Sequence, residues 1–592
     1  MMMLNIKTSG PFVGLLVGLG VAFQVVAAAQ VADAIAPEQA SGLQFKAEVR
    51  AKEFMVAAAN PVAVDAGYQV LRRGGSAVDA MVAVQAMLGL VEPQSSGLGG
   101  GAFVVYYDAG NDKITTYDGR ETAPLNSRPE LFQDAMGQPL KFYDAVVGGR
   151  SVGTPGTVKL MATLHQRYGN QPWAQLLSPA IEQAREGFEV SPRLADSIAA
   201  DAERLGRYPG TQEYFFDAGG VPLAAGAWLK NSAYAETLTT LAGQGAEAFY
   251  SGQIAADIVS TVQSAEGNPG TLALQDLATY QVKERPATCL PYKEYDICGM
   301  GPPSSGALTV GQILGITRHF DLAAMGADSA TAWQIIGDAS RLAFADRGRY
   351  MADTDYVPLP AGLLNPEYLA ERARLITAGK ALDTIEAGSP PWEDAIALAD
   401  DQSIELPSTS HLSIVDAAGN ALSMTTTIEN GFGSRLMTRG FLLNNELTDF
   451  SFATHKDGYP IANRLEPGKR PRSSMSPTIV LRHGKPYLVL GSPGGSRIIG
   501  YVAKTLIAHL EWGMSVQEAI SLPHLVNRFG TYDLEKGTTA EAFAPALTAM
   551  GFKVSVRDLN SGLHGILLQQ DLQQELLLGG ADPRREGVAR GD

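Results

Sequence analysis

The segment around Thr409 holds the residues whose types and order most directly suggest covalent chemistry. From Leu406 to Ile428 the chain reads LPSTSHLSIVDAAGNALSMTTTI, so small polar residues lead directly into an alternating strand. Cleavage of the peptide bond between Ser408 and Thr409 would give Thr409 a free α-amine with a pKa of about 8. Its hydroxyl would then be a nucleophile and its amine the general base. The pattern indicates either an ordinary solvated loop or a threonine nucleophile made by chain cleavage.

Two glycine-rich runs suggest a second kind of chemistry, the binding of negative charge. The run at 97–102, GLGGGA, follows a helical pattern and opens a strand, which is the reverse of a dinucleotide-binding turn. The run at 491–497, GSPGGSR, follows a strand and precedes a helix, but it lacks the lysine and the spacing of a phosphate loop. We interpret Gly494 and Gly495 as a turn whose backbone N–H groups hold a developing oxyanion.

The elements that must position these residues follow from hydrophobic periodicity. Residues 60–93 predict two helices separated at Gly74–Gly75, and the stretches AFVVYYD and KITTYDGR predict strands. Residues 150–380 are mainly helical in pattern, and 380–408 predict an exposed linker. A hairpin after Thr409 and the stretches GFLLNNEL and SPTIVLRHGKPYLVLG predict more strands, which helices follow. The prediction is an α/β layered architecture, with helices outside a mostly antiparallel pair of sheets.

Composition and the N-terminus limit the class of protein. The 592 residues carry a net charge of −16, with a pI of about 5.1, which disfavours nucleic acid and anionic membranes as partners. Residues 1–29 combine one lysine, an apolar stretch and an Ala-rich end, as a secretory signal peptide does. An uncleaved membrane anchor is the alternative. We expect a periplasmic or secreted protein.

The side chains that bind metals or form disulfides are few. Cys289 and Cys298 are the two cysteines, and in an exported chain they can form a disulfide across a short hairpin or remain two buried thiols. The eight histidines include no HExxH motif and no close pair, so we predict no metal site.

The order of longer motifs resembles that of the gamma-glutamyltransferase family (glutathione hydrolases). The motifs are YDGRETAP, AFADRGRYMADTDYVPLP, STSHLSIVDAAGNALSMTTTI, GFLLNNELTDFS, RPRSSMSPTIV, GSPGGSR and GADPRR. The resemblance covers about residues 60–585. It implies an αββα N-terminal-nucleophile (Ntn) hydrolase fold that works without a cofactor. It also implies self-cleavage between Ser408 and Thr409, giving a large chain (30–408) and a small chain (409–592) that form one intertwined heterodimer.

The same resemblance implies a role for each site residue. Thr409 is the nucleophile, Thr427 orients it, and Gly494 and Gly495 form the oxyanion hole. The substrate-binding positions are Arg120, Ser473 and Ser474 for the α-carboxylate of a γ-glutamyl group, and Asp449 for its α-ammonium. His411 is expected to be a packed, supporting residue. The implied substrates are a γ-glutamyl donor such as glutathione and an acceptor that is water, an amino acid or a peptide.

Three positions depart from the usual pattern of the family. Glu429 stands where an asparagine is frequent, Glu446 occupies an amide-or-acid position, and Ser410 replaces the commoner threonine. The ammonium site would then contain Glu429, Glu446 and Asp449. Three carboxylates repel one another, so we expect at least one raised pKa or a further cationic partner, with Arg435 the candidate. We hypothesise that this cluster changes substrate preference or tightens ammonium binding.

Two other functions compete with γ-glutamyl transfer. One is a glutaryl or cephalosporin-type acylase of the same fold, whose substrates lack the α-ammonium and fit a cluster of acids poorly. The other is a non-catalytic proenzyme that keeps the pocket to bind an amino acid. The presence of both Thr409 and Thr427 argues against the second, and an uncut chain would argue for it.

Overall fold

The computed structural model describes residues 41–401, 403, 405–406, 408–570 and 575–592. The predicted signal peptide, residues 1–29, lies outside the described residues. Within those residues, no helix combines the length and the apolar character needed to cross a membrane.

The described strands are mostly short, and the long ones lie in the two main sheets. In chain order they are β1 Val49–Ala51, β2 Met55–Ala58, β3 Gly101–Asp108, β4 Lys113–Gly119, β5 Phe188–Glu189, β6 Trp228–Leu229, β7 Lys283–Arg285, β8 Thr288–Tyr292, β9 Tyr295–Gly299, β10 Ser410–Val415, β11 Ala421–Thr427, β12 Met437–Thr438, β13 Phe441–Leu442, β14 His455–Lys456, β15 Tyr459–Pro460, β16 Thr478–Arg482, β17 Lys485–Gly491, β18 Leu525–Asn527, β19 Thr531–Glu535, β20 Lys553–Arg557, β21 His564–Gln570, β22 Glu575–Ala581 and β23 Val588–Gly591.

The described helices cover the outer faces of those sheets. In chain order they are α1 Pro61–Arg72, α2 Ala77–Val91, α3 Phe142–Val146, α4 Thr157–Tyr168, α5 Trp173–Glu186, α6 Pro192–Ala200, α7 Ala202–Leu205, α8 Pro209–Phe215, α9 Ser232–Gln244, α10 Glu247–Tyr250, α11 Gly252–Gln263, α12 Leu274–Thr279, α13 Gly306–Thr317, α14 Leu322–Met325, α15 Ala330–Tyr350, α16 Pro366–Arg374, α17 Ile498–Leu510, α18 Val516–Ser521 and α19 Ala544–Ala549.

Two seven-stranded antiparallel sheets form the centre of the molecule. One has the strand order β1-β22-β21-β17-β16-β9-β8, and the other has the order β23-β2-β10-β11-β3-β4-β7. Met55, Val105 and Val415 of the second sheet share a buried cluster with Ile479, Val489 and Ile566 of the first. The inner faces of the sheets therefore pack on each other, as the layered prediction requires.

Helices close both outer faces. Helices α1 and α2 belong to a buried cluster with Val104 and Leu412 of the second sheet. Helices α13, α15 and α17 belong to another cluster with Val480 and Leu488 of the first sheet. The predicted αββα arrangement is confirmed. The break between α1 and α2 also lies where it was predicted, at Gly74–Gly75.

The end of the chain differs from the prediction. We expected helices after the second hairpin, but β20 to β23 follow α17, α18 and α19, and β21 and β22 pair along their length inside the first sheet. Their sequence, GILLQQ and ELLLGGA, does not alternate, because both faces of the sheet are covered and apolar residues fit on either side. Periodicity alone does not separate such a strand from a buried helix.

The two cysteines form a disulfide in the hairpin of β8 and β9. Cys289 and Cys298 are directly opposite each other in the strand register, and their sulfurs are 2.07 Å apart. Of the two alternatives that the sequence left open, the structure has the disulfide.

Candidate functional site

Thr409 occupies the position immediately before β10, at the centre of the second sheet. Its φ is +105°, in the left-handed region, which is unfavourable for a β-branched residue. The register pairs Ser410 with Thr426, and this places Thr409 beside Thr427 at the end of β11. The two threonine Oγ1 atoms are 3.1 Å apart, and the backbone N–H of Glu429 donates to Thr427 Oγ1 at 2.9 Å. The hydroxyl of Thr427 is therefore held in place beside that of Thr409.

The glycine turn after β17 lies against the peptide bond that precedes Thr409. Gly494 and Gly495 both have positive φ, +134° and +58°. The N–H of Gly494 donates to the carbonyl oxygen of Ser408 at 3.3 Å. A Cβ on Gly494 would lie 2.8 Å from the ring of Tyr501, so this turn needs glycine for both its conformation and its space. The carbonyl group next to the Thr409 hydroxyl is thus already bound by a donor that can stabilise an oxyanion.

Carboxyl groups and one guanidinium group form one wall of the cavity beside Thr409. Arg120 follows β4, and it donates through Nη1 to Glu446 and through Nη2 to Asp449 at 2.5 Å. Its Nε donates to the carbonyl of Pro471 at 3.2 Å, so each of its three nitrogens has a partner. Glu446 and Asp449 belong to one short 3₁₀ turn, which presents both carboxylates to the same cation. We call Arg120, Glu429, Glu446 and Asp449 the acid wall.

The acid wall holds more carboxyl groups than one arginine can balance. Burial raises the pKa of Glu429 well above its usual value, and Asp449 and Glu446 raise it further. Burial likewise raises the pKa of Glu121, whose neighbour is Glu446. The side-chain amide of Asn445 donates to Glu429 Oε2, and the N–H of Leu406 donates to Glu429 Oε1 at 3.4 Å. The expected raised pKa is therefore found, and Glu429 is also linked to Thr427 through its backbone N–H.

The prediction that Arg435 neutralises this cluster is wrong. Arg435 donates to Asp201 at 2.7 Å, to the side chain of Asn430 at 2.7 Å and to the carbonyl of Gly433. Asp201 is 234 residues away in sequence, so nothing in the local pattern indicates this pair. The cation within the acid wall is Arg120 itself.

Ser473 and Ser474 also line the cavity, and a second arginine contacts Ser474. Ser474 Oγ receives a hydrogen bond from Arg347 Nη2 at 2.7 Å and donates to Glu405. Ser473 Oγ accepts from the N–H of Met475 at 3.1 Å. Arg347 Nη2 also contacts Glu405 directly, forming a buried ion pair.

His411 is a buried, neutral residue and not a base for Thr409. Its ring nitrogens lie 2.9 Å from Thr425 Oγ1 and 3.0 Å from Ser413 Oγ. Burial lowers its pKa well below the usual value, and His564 lowers it further. The predicted packing of His411 is confirmed.

One cavity brings nearly all of the sequence-predicted residues together. Its volume is about 20 Å³, which is room for about one water molecule. Its lining consists of Arg120, Glu405, Leu406, Thr409, Thr427, Glu429, Glu446, Asp449, Ser473, Ser474, Met475, Gly495 and Ile498. Gly494 and Ser408 lie beside it through their mutual hydrogen bond. In the described part of the chain, no group of three or more His, Cys, Asp or Glu residues is arranged to hold a metal ion.

Sequence reasoning missed three residues of this site. Arg347 lies within AFADRGRYM, a motif that carried the resemblance but received no role. Glu405 lies in the predicted linker, where an acid has no local signal. Arg585 donates to the carbonyl of Thr409 at 3.2 Å, from the GADPRR motif. The partners of Arg347 and Arg585 lie far from them in sequence, whereas Glu405 lies four residues before Thr409.

Comparisons with known proteins agree with this geometry. A sequence model described as "Gamma-glutamyltranspeptidase" matches residues 63–591. The chain is 35% identical to the "Glutathione hydrolase proenzyme" of Bacillus subtilis (strain 168), over 91% of this chain and 92% of that protein. It is 33% identical to the "Acylase ACY 1 proenzyme" of Pseudomonas sp. (strain V22), over 84% of this chain and 87% of that protein. The crystal structure of cephalosporin acylase from Bacillus halodurans superposes with a TM-score of 0.81 at 26% identity, covering 94% and 99% of the two chains.

The stacked sheets, the helical layers and this superposition define an Ntn hydrolase fold, the class of enzymes that use the first residue of a chain as nucleophile. Within that class, the chain belongs to the gamma-glutamyltranspeptidase family. Relatives named glutathione hydrolase and relatives named acylase have nearly equal identity to it.

Proposed function

We propose that this chain is the precursor of a γ-glutamyl transferase and hydrolase whose nucleophile is Thr409. The precursor cleaves itself between Ser408 and Thr409, which leaves a large chain ending at Ser408 and a small chain of residues 409–592. The mature enzyme acts on glutathione or related γ-glutamyl compounds. It is exported, as the apolar N-terminal stretch and the Cys289–Cys298 disulfide favour.

The contact between Gly494 and Ser408 is the observation that carries this proposal. The Thr409 hydroxyl attacks the Ser408 carbonyl carbon, and the negative charge that forms on the oxygen is stabilised by the Gly494 N–H. Collapse breaks the C–N bond, frees the α-amine of Thr409 and leaves an ester on its oxygen. Water hydrolyses the ester. The unfavourable φ of Thr409 is relieved when this bond is broken, which favours the forward reaction.

The mature reaction uses the same groups a second time. The free amine of Thr409 takes the proton from its own hydroxyl, which attacks the γ-carbonyl of the donor. Gly494 and Gly495 stabilise the oxyanion, and the amine returns the proton to the leaving group. Water or an amino acid then attacks the Thr409 ester, so the kinetics are ping-pong.

The acid wall favours a γ-glutamyl substrate over a glutaryl one. Glu429, Glu446 and Asp449 share a single arginine, and the raised pKa of Glu429 indicates that these carboxyl groups lack a counter-charge, which a further cation in the cavity would supply. An α-ammonium group supplies that cation, whereas a glutaryl side chain brings none. A glutaryl or cephalosporin-type acylase is the second candidate, because relatives named acylase match almost as well.

The first test is the intact mass of the purified protein under denaturing conditions, with N-terminal sequencing of each chain. Two chains are expected, the smaller beginning Thr-Ser-His-Leu, and the Thr409→Ala variant should remain one uncut chain. A wild-type protein that stays uncut would contradict self-cleavage and support the binding-protein alternative.

The second test compares two chromogenic substrates on the mature enzyme. γ-Glutamyl-para-nitroanilide should exceed glutaryl-para-nitroanilide in kcat/KM by about tenfold or more, which corresponds to about 1.4 kcal/mol of ammonium recognition. The reverse order would identify an acylase with the same nucleophile.

A further inference from the structure

The strand that carries Thr409 is only half paired at its beginning. Strand β10 pairs with β11 from Ser410 onward, but its pairing with β2 starts only at Leu412. In the proposed mature enzyme Thr409 is the first residue of a chain, and the first residues of a chain are poorly ordered unless other contacts hold them. The position of the nucleophile therefore depends on groups outside the strand ladder.

Glu92 supplies such a contact from the end of a buried helix. It caps the C-terminus of α2, whose residues are all buried. Its Oε2 accepts a hydrogen bond from Ser410 Oγ at 2.5 Å, and Ser410 Oγ accepts in turn from Ser96 Oγ at 3.3 Å. The side chain next to the nucleophile is thus fixed to a rigid helix and to the loop that follows it.

The same carboxylate is connected to Thr409 by a second route. Arg585 Nη1 lies 3.2 Å from the carbonyl oxygen of Thr409 and 3.9 Å from Glu92 Oε1. Arg193 Nη1 donates to that Oε1, and Arg193 Nη2 donates to Ser95 Oγ at 3.1 Å. Glu92 therefore lies between two buried arginines, one of which binds the main chain of the nucleophile.

Helix stability does not explain a glutamate at this place. A negative charge at the C-terminal end of a helix opposes the helix dipole, and burial adds the cost of removing the charge from water. Arg193 and Arg585 offset that cost, but an uncharged residue would not need them. Residues that break a local rule in this way are typically found at functional sites. The contact with Ser410, one residue from Thr409, indicates what the function is.

We propose that Glu92 is a positioning residue for Thr409, acting through the Ser410 hydroxyl group and through Arg585. This proposal rests on the proposed function, because it concerns how the nucleophile of that reaction is held. Neither Glu92 nor Ser410 is among the residues that line the cavity. Loss of their contact should therefore lower kcat and leave the KM of the donor substrate nearly unchanged.

The first test removes the hydroxyl group that joins the strand to Glu92. Ser410→Ala leaves Glu92 paired with its two arginines, so the fold is kept. For γ-glutamyl-para-nitroanilide, kcat should fall about fivefold or more, with KM within about twofold of the wild-type value. Ser410→Thr keeps a hydroxyl group and should retain kcat within about twofold. Rates are expressed per cleaved enzyme, from the fraction of two-chain protein on denaturing gels.

Ser423→Ala is the matched control for Ser410→Ala. Ser423 is buried in β11, and its Oγ also donates one hydrogen bond and accepts another, to the carbonyl of Leu490 and from the N–H of Thr478, each at 3.0 Å. The control should lower the Tm by a similar amount and keep kcat within about twofold. Equal losses of kcat in the two variants, or no loss in Ser410→Ala, would overturn the positioning role.

A double-mutant cycle tests whether Ser410 acts through Glu92. Glu92→Gln replaces the charge-assisted hydrogen bond by a weaker one, so kcat should fall about threefold or more. In a Ser410→Ala background the same substitution should lower kcat by a smaller factor, because the bond is already absent. Equal factors in both backgrounds, or a Glu92→Gln enzyme as active as the wild type, would contradict the role of Glu92.

Failure of this proposal is distinguishable from failure of the proposed function. An active, cleaved wild-type enzyme with an unaffected Ser410→Ala variant would contradict the positioning role alone. A cleaved enzyme that prefers glutaryl-para-nitroanilide would contradict only the proposed substrate, and the same variants are then compared on that compound. A wild-type protein that stays uncut would overturn both proposals, because Thr409 would not be the first residue of a chain.

Discussion

From the hydrogen bond between Thr409 and Thr427 we predict that removing the Thr427 hydroxyl lowers the catalytic rate and leaves the fold intact. Thr427→Val keeps the shape of the side chain but removes the hydroxyl group that lies 3.1 Å from Thr409 Oγ1. Loss of one such bond to a buried partner costs about 1–3 kcal/mol, so kcat of the mature enzyme should fall about tenfold to a hundredfold. Steady-state kinetics with γ-glutamyl-para-nitroanilide measures this.

The neighbouring residue offers a matched control for that variant. Thr426 lies on the same strand with its hydroxyl buried and without a described partner. Thr426→Val should therefore keep kcat within about twofold. If both variants lost activity equally, the effect of Thr427→Val would be one of strand packing and not of hydrogen bonding to the nucleophile.

The raised pKa of Glu429 predicts a pH-dependent stability. An unfolded glutamate ionises near pH 4.5, whereas burial, Asp449 and Glu446 raise the pKa of folded Glu429. The folded chain therefore holds this proton more tightly, and stability falls as the pH rises from 4.5 through the folded pKa. Glu429→Gln removes the effect, so in a Thr409→Ala background its Tm should exceed that of the parent at pH 8 by about 2 °C or more.

Measuring the same difference in Tm at pH 4 and at pH 8 checks the prediction for Glu429. At pH 4 the difference in Tm between Glu429→Gln and its parent should shrink, because the native carboxyl is protonated there. Glu130→Gln, at an exposed position, should show no comparable dependence. A constant difference at both pH values would show that the amide acts through packing or hydrogen bonds instead of charge.

At the scale of elements, we predict that the turn between β17 and α17 controls the rate of the proposed cleavage before Thr409. Gly494→Ala places a methyl group against Tyr501 at a φ of +134° and displaces the N–H that binds the Ser408 carbonyl. One oxyanion donor contributes about 10²–10³ to a rate, so the conversion of precursor to two chains should slow at least tenfold. A time course on denaturing gels measures it.

A variant at a second glycine with positive φ serves as the control, because it introduces backbone strain without touching the Ser408 carbonyl. Gly484 lies in the hairpin turn between β16 and β17, at φ +77°, and a Cβ there would meet nothing within 4 Å. Gly484→Ala should lower stability by about 1 kcal/mol and leave the rate of cleavage unchanged. Equal slowing in both variants would contradict the oxyanion role of Gly494.

Local patterns predicted the elements that alternate or carry a clear break, and missed those that do not. The hairpin of β10 and β11 and the break at Gly74–Gly75 were visible because a turn or a polar alternation marks them. Strands β21 and β22 lack that mark, since both sides of their sheet are covered. The contacts of Arg347 and Arg435 were not predictable because their partners come from other segments, at distances that no spacing rule encodes.

At the scale of the whole molecule, the position of Thr409 in the chain determines how the two chains of the proposed cleavage would be joined. Strand β2, from the large chain, lies between β10 and β23 of the small chain. Strands β3 and β9 of the large chain pair with β11 and β16 of the small chain. Both sheets are therefore built from both chains, and the chains share the three largest buried clusters.

This interleaving predicts that the cleaved chains separate only when the protein unfolds. Parting them requires the ladders between β2 and β10 and between β3 and β11 to break, together with the core between the sheets. In a urea titration of the mature enzyme, dissociation measured by size-exclusion chromatography should share its midpoint with the loss of circular dichroism. Dilution without urea should leave the pair intact. Folded single chains at intermediate urea would show instead that each chain has a core of its own, which the strand order of both sheets argues against.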